Sequence, residues 1–276
     1  MTIRLLASDL DGTLLRTDGS VSDRTRAALA RAGEAGFPIV FVTGRPPRWL
    51  YEVADATGHT GLAVAANGAV LYDLHSETVV REHLLAPELL AALTSRLRGA
   101  FPGVVFGVEY GSTFGHEPGY RHHWEISPPA DRQGRPIPGP LVASLDEVIS
   151  RGGVKLLAKH LDLEPNEFLR AASALLAGQA SVTHSSNFGL LEIAVEGVTK
   201  ASGLAEVAAS RGISADEVAA VGDMPNDLPM LAWAGASYAV SNAHPSVLAV
   251  ADHVVGSNDE DAVASLIESL LDPASL

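Results

Sequence analysis

The chain has 276 residues, 47% of them hydrophobic and 19% charged, with 19 Lys and Arg against 33 Asp and Glu and a formal net charge of −14. This suits a globular protein of one large or two moderate domains. The acidic balance argues against nucleic acid or an anionic membrane as partner, because the basic residues are scattered and even 45–48 holds only two. Cysteine is absent, which excludes disulfides, thiolate metal sites and cysteine nucleophiles. The apolar run after Met1 is too short for a signal peptide and reaches Asp9, and no stretch of about 18 uncharged apolar residues occurs, so a cytoplasmic enzyme is expected.

The first apolar run, Ile3 to Ser8, predicts a buried strand that stops at Asp9-Leu10-Asp11-Gly12. Asp18-Gly19 is a hairpin-turn signal inside a small flap between Leu14 and Ser22. Ser22 is placed to cap a helix over Asp23 to Ala35 that ends at Gly36. Phe37 to Val42 then reads as a strand, Pro47 to Ala56 as a helix and Leu62 to Ala66 as a third strand. Such alternation predicts a parallel α/β sheet. From about 81 to 188 the pattern changes to a helix after Pro87, a hairpin around Tyr110-Gly111-Ser112 and a Pro/Gly-rich loop from Pro128 to Pro140. Helices near Leu145 and Glu164 flank a strand at Val154 to Lys159, and strands near Val182 and Leu191 lead back, which predicts an α+β insertion. Helix and strand alternate again from Lys200: a helix to Ser210, a strand at Val218 to Val221, a helix over Asp227 to Ala234, and short strands near Tyr238 and Val254. The expected organisation is a doubly wound, Rossmann-like parallel core at 1–80 and 189–276, interrupted by the insertion at 81–188.

An open α/β sheet binds ligands at the carboxyl ends of its strands where strand order reverses, and Asp9, Thr43 and Asp223 each follow a predicted strand. If the chain builds outward from its first strand and then returns to the other side of it, Asp9 and Asp223 become neighbours. Asp9-Leu10-Asp11-Gly12-Thr13 sets two carboxylates in a glycine-opened loop, where one can face a ligand and the other its leaving group, unless the motif is only a surface turn. Gly222-Asp223-Met224-Pro225-Asn226-Asp227 supplies oxygen ligands of the kind Mg²⁺ takes, or an Asx turn capping the next helix. The Thr43 hydroxyl and Gly44 amide suit phosphate oxygens. Lys200 stands at a helix start, where backbone amides also favour anions, although a solvated lysine would look the same.

Taken in order, DLDGT at Asp9–Thr13, TGR at Thr43–Arg45, Lys200 and GDMPND at Gly222–Asp227 resemble the haloacid dehalogenase-like hydrolase superfamily, across essentially the whole core. About 30 residues separate Thr13 from Thr43 and about 130 separate Asn67 from Lys200, so the insertion falls where the Cof-type sugar-phosphatase branch carries an α+β cap; Asn67-Gly68-Ala69 also fits that branch. The resemblance implies a Mg²⁺-dependent phosphatase for a small phosphomonoester of the sugar-phosphate or related-metabolite class, with Asp9 as nucleophile and Asp11 as general acid and base. It further implies Mg²⁺ held by the Asp9 and Asp223 side chains and the Asp11 carbonyl, and phosphate held by Thr43, Gly44, Lys200 and Asn226. Asp227 would orient these groups. A phosphomutase of the same superfamily and a non-catalytic phosphate-binding module are the competing readings; net phosphate release separates the first, a long-lived phosphoprotein the second.

Outside these motifs, Arg45 is a candidate for substrate contact or for pairing with a nearby carboxylate. His184 and Asn187, near the return to the core, are candidate substrate contacts, while His122, His123 and Trp124 fit a surface or insertion-core role. No Walker A or Rossmann glycine fingerprint is present. Specificity is expected to reside in the cap, and the sequence does not name the substrate.

Overall fold

The computed structural model describes residues 2–120, 139–184 and 189–272. Strand β1 (Leu5–Ser8) is followed by a five-residue turn over Leu10–Leu14, helix α1 (Asp23–Glu34), β2 (Ile39–Val42), α2 (Leu50–Thr57) and β3 (Leu62–Ala65). The expected Ser22 cap is present, its side chain accepting from the Thr25 amide at 3.0 Å. The flap around Asp18-Gly19 is a turn rather than a pair of strands, closed by Gly19 N–H to Arg16 O at 2.8 Å and Arg16 N–H to Ser20 O at 3.0 Å. A 3₁₀ turn over Pro47–Trp49 delays the start of α2.

Two strands follow that the sequence pattern does not announce, β4 (Val70–Asp73) and β5 (Thr78–Glu82). β4 pairs antiparallel with β3, so the sheet is mixed at this end. The whole of β5 is exposed, as befits an edge strand, and it carries no buried face to betray it.

The insertion runs through α3 (Pro87–Ala100), β6 (Val105–Glu109), β7 (Phe114–His116), β8 (Leu141–Val142), α4 (Leu145–Ile149), β9 (Lys155–Lys159), α5 (Pro165–Leu175), β10 (Ala180–Thr183) and β11 (Leu190–Val195). The chain then returns with α6 (Lys200–Ser210), β12 (Val218–Gly222), α7 (Leu228–Trp233), β13 (Ala236–Val240), α8 (Pro245–Leu248), β14 (His253–Val255) and α9 (Ala262–Leu271).

Among the described residues the core sheet has the order β14-β13-β12-β1-β2-β3-β4-β5. β1 lies between β2 and β12 and is parallel to both, with Ser8 opposite Phe41 on one side and Val221 on the other. Every residue of β1, β2 and β12 is buried, as in a parallel sheet covered on both faces. The helices that pack against it form two groups, α1 with α2 and α9, and α6 with α7.

The insertion builds its own sheet, ordered β10-β11-β9-β6-β7-β8 and antiparallel except where β7 meets β8. Alternation gives it two unlike faces. Phe106, Val108, Leu156, Ala158, Leu191 and Ile193 join Leu90, Leu93, Leu97 and Phe168 in one apolar core. Glu109, Lys155, Lys159 and Glu192 occupy the alternate positions and are buried too.

The chain divides into two compact units, one of 1–45, 49–81 and 198–276 and one of 46–48 and 82–197. The second crossover thus falls at Val198 rather than at 189, because β11 pairs with β9 and β10 in the insertion's sheet instead of returning to the core. The 128–138 part of the Pro/Gly-rich loop, His122, His123, Trp124 and Asn187 lie outside the described residues.

Candidate active site

The pairing of β1 with β12 brings two loops together at the carboxyl ends of adjacent strands. Asp9 leaves β1 with its amide donating to Val221 O at 3.0 Å, and Asp223 leaves β12 directly after Gly222. Between them Gly12 has φ +75°, and a Cβ there would stand 2.5 Å from Asp223 Oδ2. Glycine is therefore required twice at this position, for its backbone conformation and for the carboxylate beside it. Thr13 Oγ1 donates to Asp223 Oδ1 at 3.1 Å, and Asn242 Nδ2 donates to Gly12 O at 2.8 Å.

Lys200 enters from the first turn of α6, whose Thr199 and Ser202 form a reciprocal capping box. Its Nζ lies 2.6 Å from Asp9 Oδ1 and 2.6 Å from Asp227 Oδ1, and only 1% of its side chain is exposed. Asp227 is wholly buried, and its other oxygen accepts from the Asp223 and Met224 amides at 3.0 Å each. Both Asp227 oxygens are thus occupied by protein donors that fix the loop carrying Asp223.

The electrostatics follow from this crowding. Burial, reinforced by Asp227, Asp223 and Asp11 and opposed by Lys200, raises Asp9 well above the ordinary carboxylate range. Burial and Asp227 push Asp223 up to about 6. Burial alone would lower Lys200, but Asp227 and Asp9 outweigh it and raise the ammonium above its ordinary value. One ammonium among three buried carboxylates leaves two negative charges uncompensated when all are ionised.

The donor set fits a divalent cation. Ligand oxygens of Asp9, Asp223 and Asp227 lie within 4.8 Å of one another, so the three buried aspartates could hold a metal ion. Asn226 adds a further sign. Its Nδ2 donates to Asn67 Oδ1 at 3.0 Å, whereas its buried Oδ1 has no hydrogen-bond partner among the described residues. Such an acceptor suits a water on a bound cation.

The remaining predicted residues are placed unequally. Buried Thr43 follows β2; its Oγ1 accepts from the Arg45 amide at 3.0 Å and its carbonyl accepts from Asn67 N–H at 3.0 Å, while Gly44 is the next residue in that loop. Arg45 grips Asp11 with both arms, Nε to Oδ2 at 2.8 Å and Nη2 to Oδ1 at 2.6 Å, although the Asp11 side chain is 58% exposed. His184 is buried in the inserted unit, with Nε2 3.2 Å from Asn166 Oδ1. The structure adds Asn242 and gives partners to Thr13 and Asn67, which lie inside segments already singled out. Asn67 has φ +57° beside Gly68 at φ +99°, where a Cβ would meet Thr199 O at 2.0 Å, so Asn-Gly after a strand was its available signal.

A family model described as haloacid dehalogenase-like hydrolase matches residues 6–267. The Escherichia coli (strain K12) pyridoxal phosphate phosphatase YbhA is 30% identical over 98% of this chain and 100% of its own length. The Bacillus subtilis (strain 168) 5-amino-6-(5-phospho-D-ribitylamino)uracil phosphatase YcsE is 28% identical, covering 96% of this chain and 94% of its own. Among solved structures, the phosphatase BT1666 from Bacteroides thetaiotaomicron superposes with a TM-score of 0.78 at 26% identity, over 98% of this chain and 95% of that one.

Proposed function

The chain belongs to the haloacid dehalogenase-like hydrolases of the Cof type and acts on phosphate esters, and from that premise we propose a Mg²⁺-dependent phosphatase that hydrolyses a small phosphomonoester through a phospho-aspartyl intermediate on Asp9. The observation that carries this reading is the buried group of three carboxylates around Lys200 at two paired strand ends. A sugar phosphate or related metabolite is the substrate class. The relatives named for pyridoxal phosphate and for a phosphorylated ribitylaminouracil support a small phosphorylated metabolite.

In this reading the Asp9 and Asp223 side chains and the Asp11 carbonyl would hold Mg²⁺, which would supply positive charge against the phosphate and the crowded carboxylates. Asp227 keeps Lys200 and the Asp223 loop in place. Lys200 has three N–H donors, of which Asp9 and Asp227 take two, and the third serves a phosphoryl oxygen with Thr43, Gly44 and Asn226. In the first displacement an Asp9 oxygen attacks phosphorus, the ester P–O bond breaks, and the leaving oxygen takes a proton from Asp11. In the second, water gives a proton to Asp11 as its oxygen attacks phosphorus, the bond from Asp9 to phosphorus breaks, and inorganic phosphate departs. Two displacements let one acid and base serve twice. The inserted unit supplies specificity, and the enzyme works in the cytoplasm.

The test is phosphate release from 4-nitrophenyl phosphate and a panel of sugar and nucleotide phosphates, with Mg²⁺, with chelator, and with Asp9→Asn. Release that needs Mg²⁺ and falls by about 10⁴-fold or more in the variant is expected. Metal-independent release, or phosphate moved within the substrate without net release, overturns the reading.

A further inference from the structure

Both loops that carry the aspartates lean on one short segment after β13. The His244 amide donates to the Asp223 carbonyl at 2.7 Å, and two residues earlier Asn242 Nδ2 donates to the Gly12 carbonyl at 2.8 Å. All of these residues belong to the core unit. The Asn242 amide has only one way round: its Oδ1 accepts from the Asn258 amide at 2.9 Å, so its N–H donors are the end that faces Gly12. Asn258 is buried, with Nδ2 donating to Leu15 O at 3.1 Å. Its neighbours are tied to the same stretch, Asp259 accepting from the Thr17 amide and hydroxyl and Asp261 taking a forked pair from Arg16.

What Asn242 holds is the link in the site with the fewest restraints of its own. Gly12, at φ +75°, has no Cβ to confine it, so its backbone does little by itself to keep the Asp11-Gly12-Thr13 turn in one conformation. The bond from Asn242 fixes the plane of the peptide between Gly12 and Thr13. One residue back from that plane is the Asp11 carbonyl, and one residue on is Thr13, whose Oγ1 donates to Asp223 Oδ1 at 3.1 Å. A single side-chain amide therefore steadies two of the oxygen sources assigned to the cation, while the His244 amide steadies the Asp223 loop from behind.

We propose that Asn242 is a positioning residue for the divalent cation: by fixing the Gly12 carbonyl it sets the Asp11 carbonyl and the Asp223 carboxylate in the arrangement Mg²⁺ requires, and Asn258 in turn fixes Asn242. Mg²⁺ demands near-ideal octahedral geometry, whereas Ca²⁺ accepts a looser and more variable one. Asn242 thus confers a preference for the smaller ion without being one of its ligands. The inference rests on the assignment of Asp9, Asp11 and Asp223 to Mg²⁺ made for the proposed phosphatase.

The test titrates the full chain, stripped of metal with a chelator and dialysed, with Mg²⁺ and separately with Ca²⁺ by calorimetry. Asn242→Ala is expected to raise the Mg²⁺ Kd about 10-fold, the scale on which residues behind metal ligands act, and the Ca²⁺ Kd by no more than about 2-fold. The Asn242 side chain is exposed, so loss of its hydrogen bonds should leave urea unfolding in chelator nearly unchanged. Equal weakening of both ions, an unchanged Mg²⁺ Kd, or a loss of Mg²⁺ affinity that merely follows a loss of stability in chelator overturns the proposal. Asn242→Asp keeps the acceptor for Asn258 but turns an oxygen toward the Gly12 carbonyl. Its added charge acts on both cations alike, so the ratio of the two Kd values should shift in the same direction as in Asn242→Ala. A wild-type ratio in Asn242→Asp overturns the proposal, and this variant decides alone should Asn242→Ala fail to fold. A wild-type chain that binds neither cation defeats the metal assignment and the proposal with it, whereas a wild-type chain that binds Mg²⁺ no better than Asn242→Ala defeats the proposal alone.

Discussion

Each of the two units buries charge, and each does so differently. In the inserted unit the polar face of the antiparallel sheet carries buried carboxylates with cations against them, Glu192 with Lys155 at 2.6 Å and 5% exposed on both sides, and Glu109 with Arg48. In the core the buried charges gather at the ends of β1 and β12, where Lys200 faces both Asp9 and Asp227 with Asp223 close by. Matched charges make a structure self-sufficient. Unmatched ones, held in place by Asp227 and by the Gly12 turn, describe a site built for something that arrives from outside.

The contrast is broken most forcefully in the insertion. Lys155→Met removes the ammonium 2.6 Å from the buried Glu192 carboxylate and should cost about 3–5 kcal/mol in urea unfolding, whereas Lys155→Met with Glu192→Leu should recover most of that loss. The core should respond with the opposite sign. The folded value of Asp223 is near 6, against an ordinary 3.8, so the fold favours its protonated form, and stability is lost as pH rises from about 4 through 6. Without metal, Asp223→Asn should therefore stabilise the protein at pH 7 by about 2–3 kcal/mol and remove that slope. A destabilised variant in chelator would count against the unmatched-charge account.

A smaller effect sharpens the same comparison. Burial beside Phe41, whose ring lies 4.4 Å away, and to a lesser degree the charge of Arg211 push His59 down to about 4. Its neutral form is favoured in the fold, so its contribution is complete above about 6.5 and is lost as pH falls toward 4, the reverse of Asp223 in an overlapping window. Allowing for its partial exposure, His59→Phe should flatten that acid limb by about 2 kcal/mol, measured as unfolding free energy against pH.

The core was legible where chemistry is local. The acidic motifs after Ser8 and Val221 each stand in one short segment, and the parallel α/β alternation shows which strand ends carry them. The doubly wound core follows, with β12 beside β1 as the return path required. What escaped depends on partners far away in the chain. Asn67 gains meaning only opposite Asn226, and Asn242 only against the Gly12 carbonyl. β5 lacks a buried face, and Leu190–Val195 reads as an apolar strand whichever sheet receives it. Arg45 had two equivalent prospects on paper; the fold puts it on Asp11.

The place of β1 between β2 and β12 also sets a timetable for synthesis. Asp9 is made more than 200 residues ahead of the strand beside it and Asp223. Meanwhile residues 82–197 emerge as one stretch with an apolar core of their own, complete before β12 exists. The nascent chain therefore carries a finished insertion on an unfinished core, with one side of β1 unpaired, and cannot assemble its aspartates until β12 and the loop after it have been made.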